Sequence, residues 1–417
     1  MSDRFVRVCA GAVFFLITML AVGCAAGHNT VSSNPTNPTP TPSPTPTVSP
    51  TPTPTPSASP RMMVSDSTGS VIVVNAQTDV ITHTISVPSP GKLVSAGGTT
   101  LIQSTLASSL SIFDNASETV RFTVPLPALA VDIALTPDGS TAWVAENNGT
   151  VQVVNTLIGQ IGLTIAVPNV QRLVMGPQGT RVLAFDTQAI TFNVMIPSST
   201  LAVIVGDPTL DHPANAVFFA DDQNFQLLDC GLECGGTHAG VAGVALNTPG
   251  GPFISTPLVV SGATVGLRNG NSFFVAGSPA TGLDAGTLQI INDTNNAVSS
   301  PLSIADGSHS LMVLASNGRL YIGSHGCTLG VPNAQNFRQG CLDIFDTNTL
   351  AVTPILLPSL RPNGDVTGLA LVAGRNVIYV VQGGEVDIFD ITTNAVSTTI
   401  TPLNITGTAV GVVQLSP

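Results

Sequence analysis

From Arg61 onward the chain is written in short apolar runs broken every few residues by Gly, Asn, Asp, Ser, Thr or Pro. Several of these runs end on Asn or Asp: Val71 to Asn75, Leu110 to Asp114, Val151 to Asn155, Leu288 to Asn292, Leu342 to Asp346 and Val386 to Asp390. Two looser copies end at Asn193 and Asn247. The stops are 38 to 54 residues apart, the length of a four-stranded β-propeller blade and too long for a hairpin repeat. The pattern predicts an all-β chain of eight four-stranded blades, with seven as the alternative if the weak units near residues 190 to 250 merge.

One unit shows the expected order. Val131 to Leu135 reads as an inner strand, Thr136-Pro-Asp-Gly139 as a turn, and Ala142 to Ala145 as a second strand. Val151 to Asn155 follows as the third strand and Gly162 to Val167 as the outer one. The third strands read as apolar on both faces, as expected of strands sandwiched between blades. Their terminal Asn or Asp reads as a turn device, a side-chain acceptor for the backbone two residues on. At the ends, Met62 to Asp66 lacks an inner strand before it and Thr408 to Val413 lacks anything after it. Joining the two completes one blade and closes the ring without an open edge.

The repeat resembles the YVTN type of β-propeller, most clearly over Val71 to Val87, Thr136 to Gly139 and Val386 to Ile400, and the likeness spans roughly residues 61 to 417. That resemblance implies a secreted or surface-attached propeller, while lactonase-like and quinoprotein relatives imply that such a fold can also carry catalysis. Activity has to be argued from a site and not from the fold.

The segment before the repeats reads as an address. Arg4 and Arg7 precede an apolar run from Val8 to Val22, shorter than the roughly 20 residues of a membrane span. Ala21-Val22-Gly23-Cys24 then resembles a bacterial lipoprotein signal, which implies residues 1–23 as signal peptide and Cys24 as the lipidated residue. A signal cut without lipidation is the alternative. Residues 24–60 are dominated by Pro, Thr and Ser and read as an extended polyproline stalk. Residues 61–417 form the propeller, so the expected location is the cell envelope, lipid-anchored at the bacterial outer membrane, by analogy with other lipoproteins.

Charge narrows the partners. The formal net charge is −12, with Lys92 as the one lysine, so no basic surface exists to neutralise phosphates and nucleic acid is not an expected partner. Setting aside Cys9 in the signal and Cys24 leaves Cys230, Cys234, Cys327 and Cys341, which in an exported chain predict two disulfides. Cys230 to Cys234 and Cys327 to Cys341 are favoured because each pair falls within one connection between a second and a third strand. A metal site of Cys230, Cys234, His238 and His325 is the rival, disfavoured by oxidising export. No cofactor is implied.

Two constellations are candidates for binding. Long second-to-third-strand connections at 229–241, 277–286 and 323–341 must emerge on one face, and place His238, His325, Asn336, Phe337 and Arg338 on a rim. Aligned on their first residue, the inner strands put Lys92, Asp132, Arg172, Asn215, Thr264, His309, Thr367 and Thr408 around the mouth of the central channel. No nucleophile elbow, phosphate loop or zinc-protease helix is present, Asp221, Asp222 and Asp343 read as turn or strand-face residues, and Trp143 reads as packing. The expectation is a non-catalytic binding or scaffold module for a protein, glycan or small polar ligand, attached to the membrane through its N-terminal lipid. A lactonase-like hydrolase using the channel and a purely structural envelope protein are the alternatives.

Overall fold

The computed structural model describes residues 59–279, 286–327, 341–354, 365–393, 395–396, 403, 405 and 408–417. Eight antiparallel sheets, each four strands deep, follow one another along the chain, and the outermost strand is split in two in blades five and six. Blade one takes its inner strand, Ala409–Gln414, from the C-terminus and its other three from Arg61–Asp66, Ser70–Asn75 and Val80–Ser86. Met62 pairs with Gln414, Met63 with Val413 and Val64 with Val412, so the ring closes by hydrogen bonding between the two ends of the repeat region. The inner strands of blades two to eight begin at Pro90, Ala130, Arg172, Pro213, Val265, Ser308 and Val366.

Cores form between blades. Val64, Ile72 and Val74 of blade one pack with Tyr379, Val381 and Ile388 of blade eight, and Met63 and Val73 pack on the other side with Ile102 and Phe113 of blade two. Middle strands are therefore buried on both faces while outer strands alternate, as in Val80–Ser86, where most side chains face solvent. Blades four and five meet through Phe185, Phe192 and Phe225, with ring centroids 5.9 and 5.8 Å apart.

The turn device appears at all six clear stops. Asn75, Asn155 and Asn292 each accept the amide two residues on at 2.9 Å, Asp346 does so at 2.8 Å, Asp390 at 2.7 Å and Asp114 at 3.0 Å. In four of these turns the carbonyl of the stop also accepts the amide four residues on, at Asp79, Gly159, Asn296 and Leu350, and each of those residues has positive φ. One left-handed residue then turns the chain into the outer strand.

Two expectations are corrected. Asn193 lies in the middle of Thr191–Met195, paired with Ala184 and Ile204, and Asn247 lies beyond the end of Ala239–Ala245, so neither ends a strand. Blades four and five are nonetheless separate, which gives eight blades and not seven. The third strands are also not apolar throughout: Ser111, Gln152, Gln289, Asp343 and Asp387 are buried three residues before their stops. Gln289 accepts from the Ser261 amide at 2.6 Å and Asp343 from the Ala305 amide at 2.7 Å. These side chains satisfy backbone where the chain crosses from one blade's outer strand to the next inner strand, where an unpaired amide would cost roughly 1–3 kcal/mol.

Candidate functional site

Six inner strands carry a β-bulge near their start, opposite Ser65/Asp66 in blade one and at Pro90/Leu93, Ala130/Asp132, Pro213/Asn215, His309/Leu311 and Val366/Gly368. An extra residue in one strand of a pair re-aims the side chains around it. Repeated at one level of a propeller, it shapes the channel mouth.

The register corrects the aligned ring. Asp132 and Asn215 occupy the position just after the bulge, and Lys92 lies within the irregular stretch of blade two, but in blades seven, eight and one the post-bulge residues are Leu311, Gly368 and Gly411. His309 comes two residues before that level and is buried, Thr367 is itself the bulged residue, and Thr408 precedes its strand. One inserted residue per strand shifts the pairing, and a gapless alignment of strand starts does not detect it.

What the mouth contains is a cavity of about 570 Å³ lined by Lys92, Asp132, Arg172, Ser310, His325 and Thr367 together with Leu93, Val131, Leu369, Val410 and Val412. Gly91, Gly368 and Gly411 also line it. A Cβ on Gly368 would come within 2.9 Å of the Val412 amide, so inner strands approach there more closely than a side chain permits. Lys92 Nζ donates to Asp132 Oδ1 at 2.5 Å, and Asp132 also accepts the Ile133 and Leu173 amides at 2.9 and 2.8 Å. The Asp132 carboxylate is thereby neutralised and fixed between blades two, three and four.

Arg172 is the group left without such a partner. Its Nη1 donates to the Thr264 carbonyl at 3.3 Å, a carbonyl that also accepts from Asn215 Nδ2 at 3.0 Å. Among the described residues no carboxylate lies within ion-pair distance of the guanidinium, and burial lowers its pKa while the charge of Asp132 opposes that shift. The side chain keeps some surface open to the cavity although protein encloses it. Four of its five N–H donors are free for a ligand.

Arg172, Gln171 and Ser310 also line a second cavity of about 260 Å³, with Thr187, Ala214, Glu233, Thr264, Ser308 and His309. Arg172 therefore stands on the boundary between two compartments. Glu233 reaches the smaller one from the 3₁₀ turn Gly231–Cys234, which the Cys230–Cys234 disulfide closes. Burial raises its pKa, opposed by the Ser278 amide at 2.8 Å and by the Ser308 side chain. His309 is pushed down to about 4 by burial, only partly opposed by the Ala305 carbonyl. Neither of its ring nitrogens makes a hydrogen bond of acceptable geometry.

The rim and the mouth are joined. Gln188 of blade four donates to the Cys234 carbonyl at 3.2 Å, and Ser278 of blade six holds Glu233 of blade five. Two disulfides form, Cys230 with Cys234 and Cys327 with Cys341, as the sequence predicts. His325 lines the larger cavity and faces Asp365 at 3.8 Å. His238 lies off the channel, 3.4 Å from Asp211. Burial would raise the pKa of Asp211, but Thr237, His212 and the His238 amide donate to it and hold it well below the carboxylate range. Asn336, Phe337, Arg338 and Cys24 lie outside the described residues. Among the described residues no group of three or more His, Cys, Asp or Glu side chains is arranged to hold a metal ion.

Glu233 and Gln171 are among the lining residues that the sequence did not single out. The available signal was an acid enclosed by two cysteines expected to bridge, in a loop expected on the mouth face. Asp221 accepts the Gln223 and Asn224 amides at 2.7 Å and Asp222 holds the turn at Gln178 and Thr180, both structural roles. Trp143 is fully buried in the core between blades three and four.

No family model matches the chain, and no curated protein matches it in sequence. Solved structures similar to it include the dihydro-heme d1 dehydrogenase NirN in complex with DHE, with a TM-score of 0.64 and 12% identity over 85% of this chain and 74% of that one. AztD of Citrobacter koseri in its apo form gives 0.57 and 14% over 85% and 97%. A functionally unknown protein from Desulfotomaculum acetoxidans gives 0.52 and 13% over 86% and 99%. At identities this low the likeness is one of fold alone: the chain is an eight-bladed β-propeller, an architecture that in one of these proteins carries a dehydrogenase.

Proposed function

We propose that this chain is a lipid-anchored envelope protein whose YVTN-like propeller, held on a Pro/Thr/Ser-rich stalk, binds a small polar or anionic molecule at the mouth of its channel without transforming it. The observation that carries the binding role is Arg172, a guanidinium enclosed in the channel with one carbonyl partner and a cavity on each side. A cation held in this way is stabilised by an incoming anion, which regains the charge-assisted hydrogen bonds lost on burial. Lys92 adds a second positive end to the lining, its charge already balanced by Asp132. The loop rim supports the same reading, since Glu233 and Cys234 lean into the cavity from it.

The hydrolase reading calls for a base hydrogen-bonded to an acid, and His309, the one buried histidine of the channel, makes no hydrogen bond of acceptable geometry through either ring nitrogen, although the charge of Asp306 acts on it. The test of binding is a thermal-shift series on the full chain with small carboxylates, phosphate, sulfate and neutral sugars, run on the native protein and on Arg172→Met. Stabilisation by anions that disappears in the variant supports the reading, and equal shifts in both proteins overturn it. The anchor is tested separately by labelled fatty acid, whose incorporation should be lost in Cys24→Ser.

A further inference from the structure

Arg172 and Glu233 both line the 260 Å³ compartment, yet no ion pair joins them. A base and an acid that line one small compartment and are both largely buried normally pair with each other, because each charge taken out of water needs its opposite. Here each is held apart by fixed neighbours, Arg172 by the Thr264 carbonyl and Glu233 by the Ser278 amide and the disulfide-closed turn beneath it.

Both keep unused capacity. Arg172 has free N–H donors, and Glu233, which accepts from Ser278 and Ser308, still has acceptor lone pairs to offer. The rest of the lining mixes short polar and apolar groups, with hydroxyl-bearing Thr187, Thr264, Ser308 and Ser310 beside Gln171, His309, Ala214 and the disulfide-bonded Cys234. A cavity of about 260 Å³ sits at the lower end of ligand sites and suits a molecule of roughly ten heavy atoms or fewer.

We propose that this compartment seats a small zwitterion, such as an α-amino acid, with its carboxylate on the Arg172 guanidinium and its ammonium on the Glu233 carboxylate. Because Arg172 also lines the 570 Å³ cavity, a substituent on the ligand extends past it into that larger space. This inference rests on the channel-binding reading above and adds the class of ligand. It accounts for the absence of a carboxylate partner for Arg172 among the described residues: the missing carboxylate belongs to the ligand.

The experiment is calorimetric titration of the full chain with L-alanine, L-glutamate and L-lysine as zwitterions, propionate as a carboxylate alone and ethylamine as an ammonium alone. The native protein, Glu233→Gln and Arg172→Met are compared, with melting midpoints and circular dichroism establishing that each variant is folded. The expected result is that at least one amino acid binds at least about tenfold more tightly than propionate and ethylamine, and that either substitution weakens it about tenfold or more. Propionate binding as well as the amino acids, with Glu233→Gln unchanged and Arg172→Met impaired, overturns the zwitterion while leaving an anion site in the channel. Amino-acid binding indifferent to both substitutions, or no binding of any of the three, also overturns it, and the anion series on Arg172→Met then decides the channel reading independently. Should Glu233→Gln unfold, Ala214→Leu fills the compartment without altering its charges and is expected to abolish the same binding.

Discussion

Arg375 forks onto Asp79 with hydrogen bonds of 2.7 and 3.0 Å, tying blade eight to the turn before the outer strand of blade one across 296 positions of sequence. Tyr379 donates its hydroxyl to the same carboxylate, and Arg375 also reaches the Ala76 carbonyl. This buried network sits beside the strand pairing that closes the ring. Replacing Arg375 by Met leaves a buried carboxylate with a weakened set of donors and is expected to cost about 2–4 kcal/mol, read as a lower denaturant midpoint. A change below about 0.5 kcal/mol would remove the network from the account of closure.

Asp343 gives a pH dependence with a defined sign. Burial raises its pKa to about 6, above the unfolded value, so between roughly pH 4 and 6 the folded state binds more protons than the unfolded one. Its contribution favours folding at low pH and is lost as pH rises through about 6. Asp343→Asn keeps an acceptor for the Ala305 amide and removes the buried charge. The variant is expected to be roughly 2 kcal/mol more stable than the native protein at pH 8 and close to it at pH 4, by chemical denaturation at both values. Greater stabilisation at pH 4 than at pH 8 would reverse the assignment.

These two networks also mark what the sequence reveals. The Asn75, Asp114 and Asp390 stops are legible because a turn made by a side chain and the amide two residues on is a local event. The closing pair Met63 and Val413 is legible because each end lacks the strand that the other supplies. The channel ring is legible only in part, since a bulge is set by pairing between strands: Asp132 keeps its predicted place while Leu311 takes the one assigned to His309. Glu233 depends on a long loop folding over the mouth, which strand periodicity does not report.

Leu350 occupies the left-handed turn position, at φ 57°, that Asn296 and Gly159 fill in other blades, and it is largely exposed. Gly, which lacks a Cβ, and Asn, whose short polar side chain bonds locally, are favoured there, so Leu350→Gly or Leu350→Asn is expected to stabilise the protein by roughly 0.5–1 kcal/mol. Thermal unfolding of the two variants beside the native chain reads this directly, and a loss of stability in both would mean that Leu350 packs to more effect than its exposure suggests.

The two disulfides differ in the chain they enclose. Cys327–Cys341 joins positions 14 apart and Cys230–Cys234 positions 4 apart. Loop-closure entropy predicts that removing the longer bridge by Cys→Ser at both ends costs about 3 kcal/mol, and the shorter one less. The shorter bridge is instead expected to matter for ligand binding, because it holds the turn that carries Glu233. Melting midpoints and binding measured on both double variants separate the two roles.

If the larger cavity at the channel mouth seats the anion, filling it without touching a charged residue removes binding. Val131 is a bulged residue that lines the larger cavity beside Asp132. Calorimetric titration of the most stabilising anion into the native protein and into Val131→Trp should show saturable binding in the first and at least about a tenfold loss in the second, at unchanged melting midpoint in the absence of ligand. Equal affinity in the two proteins would exclude the larger cavity as the seat of the anion.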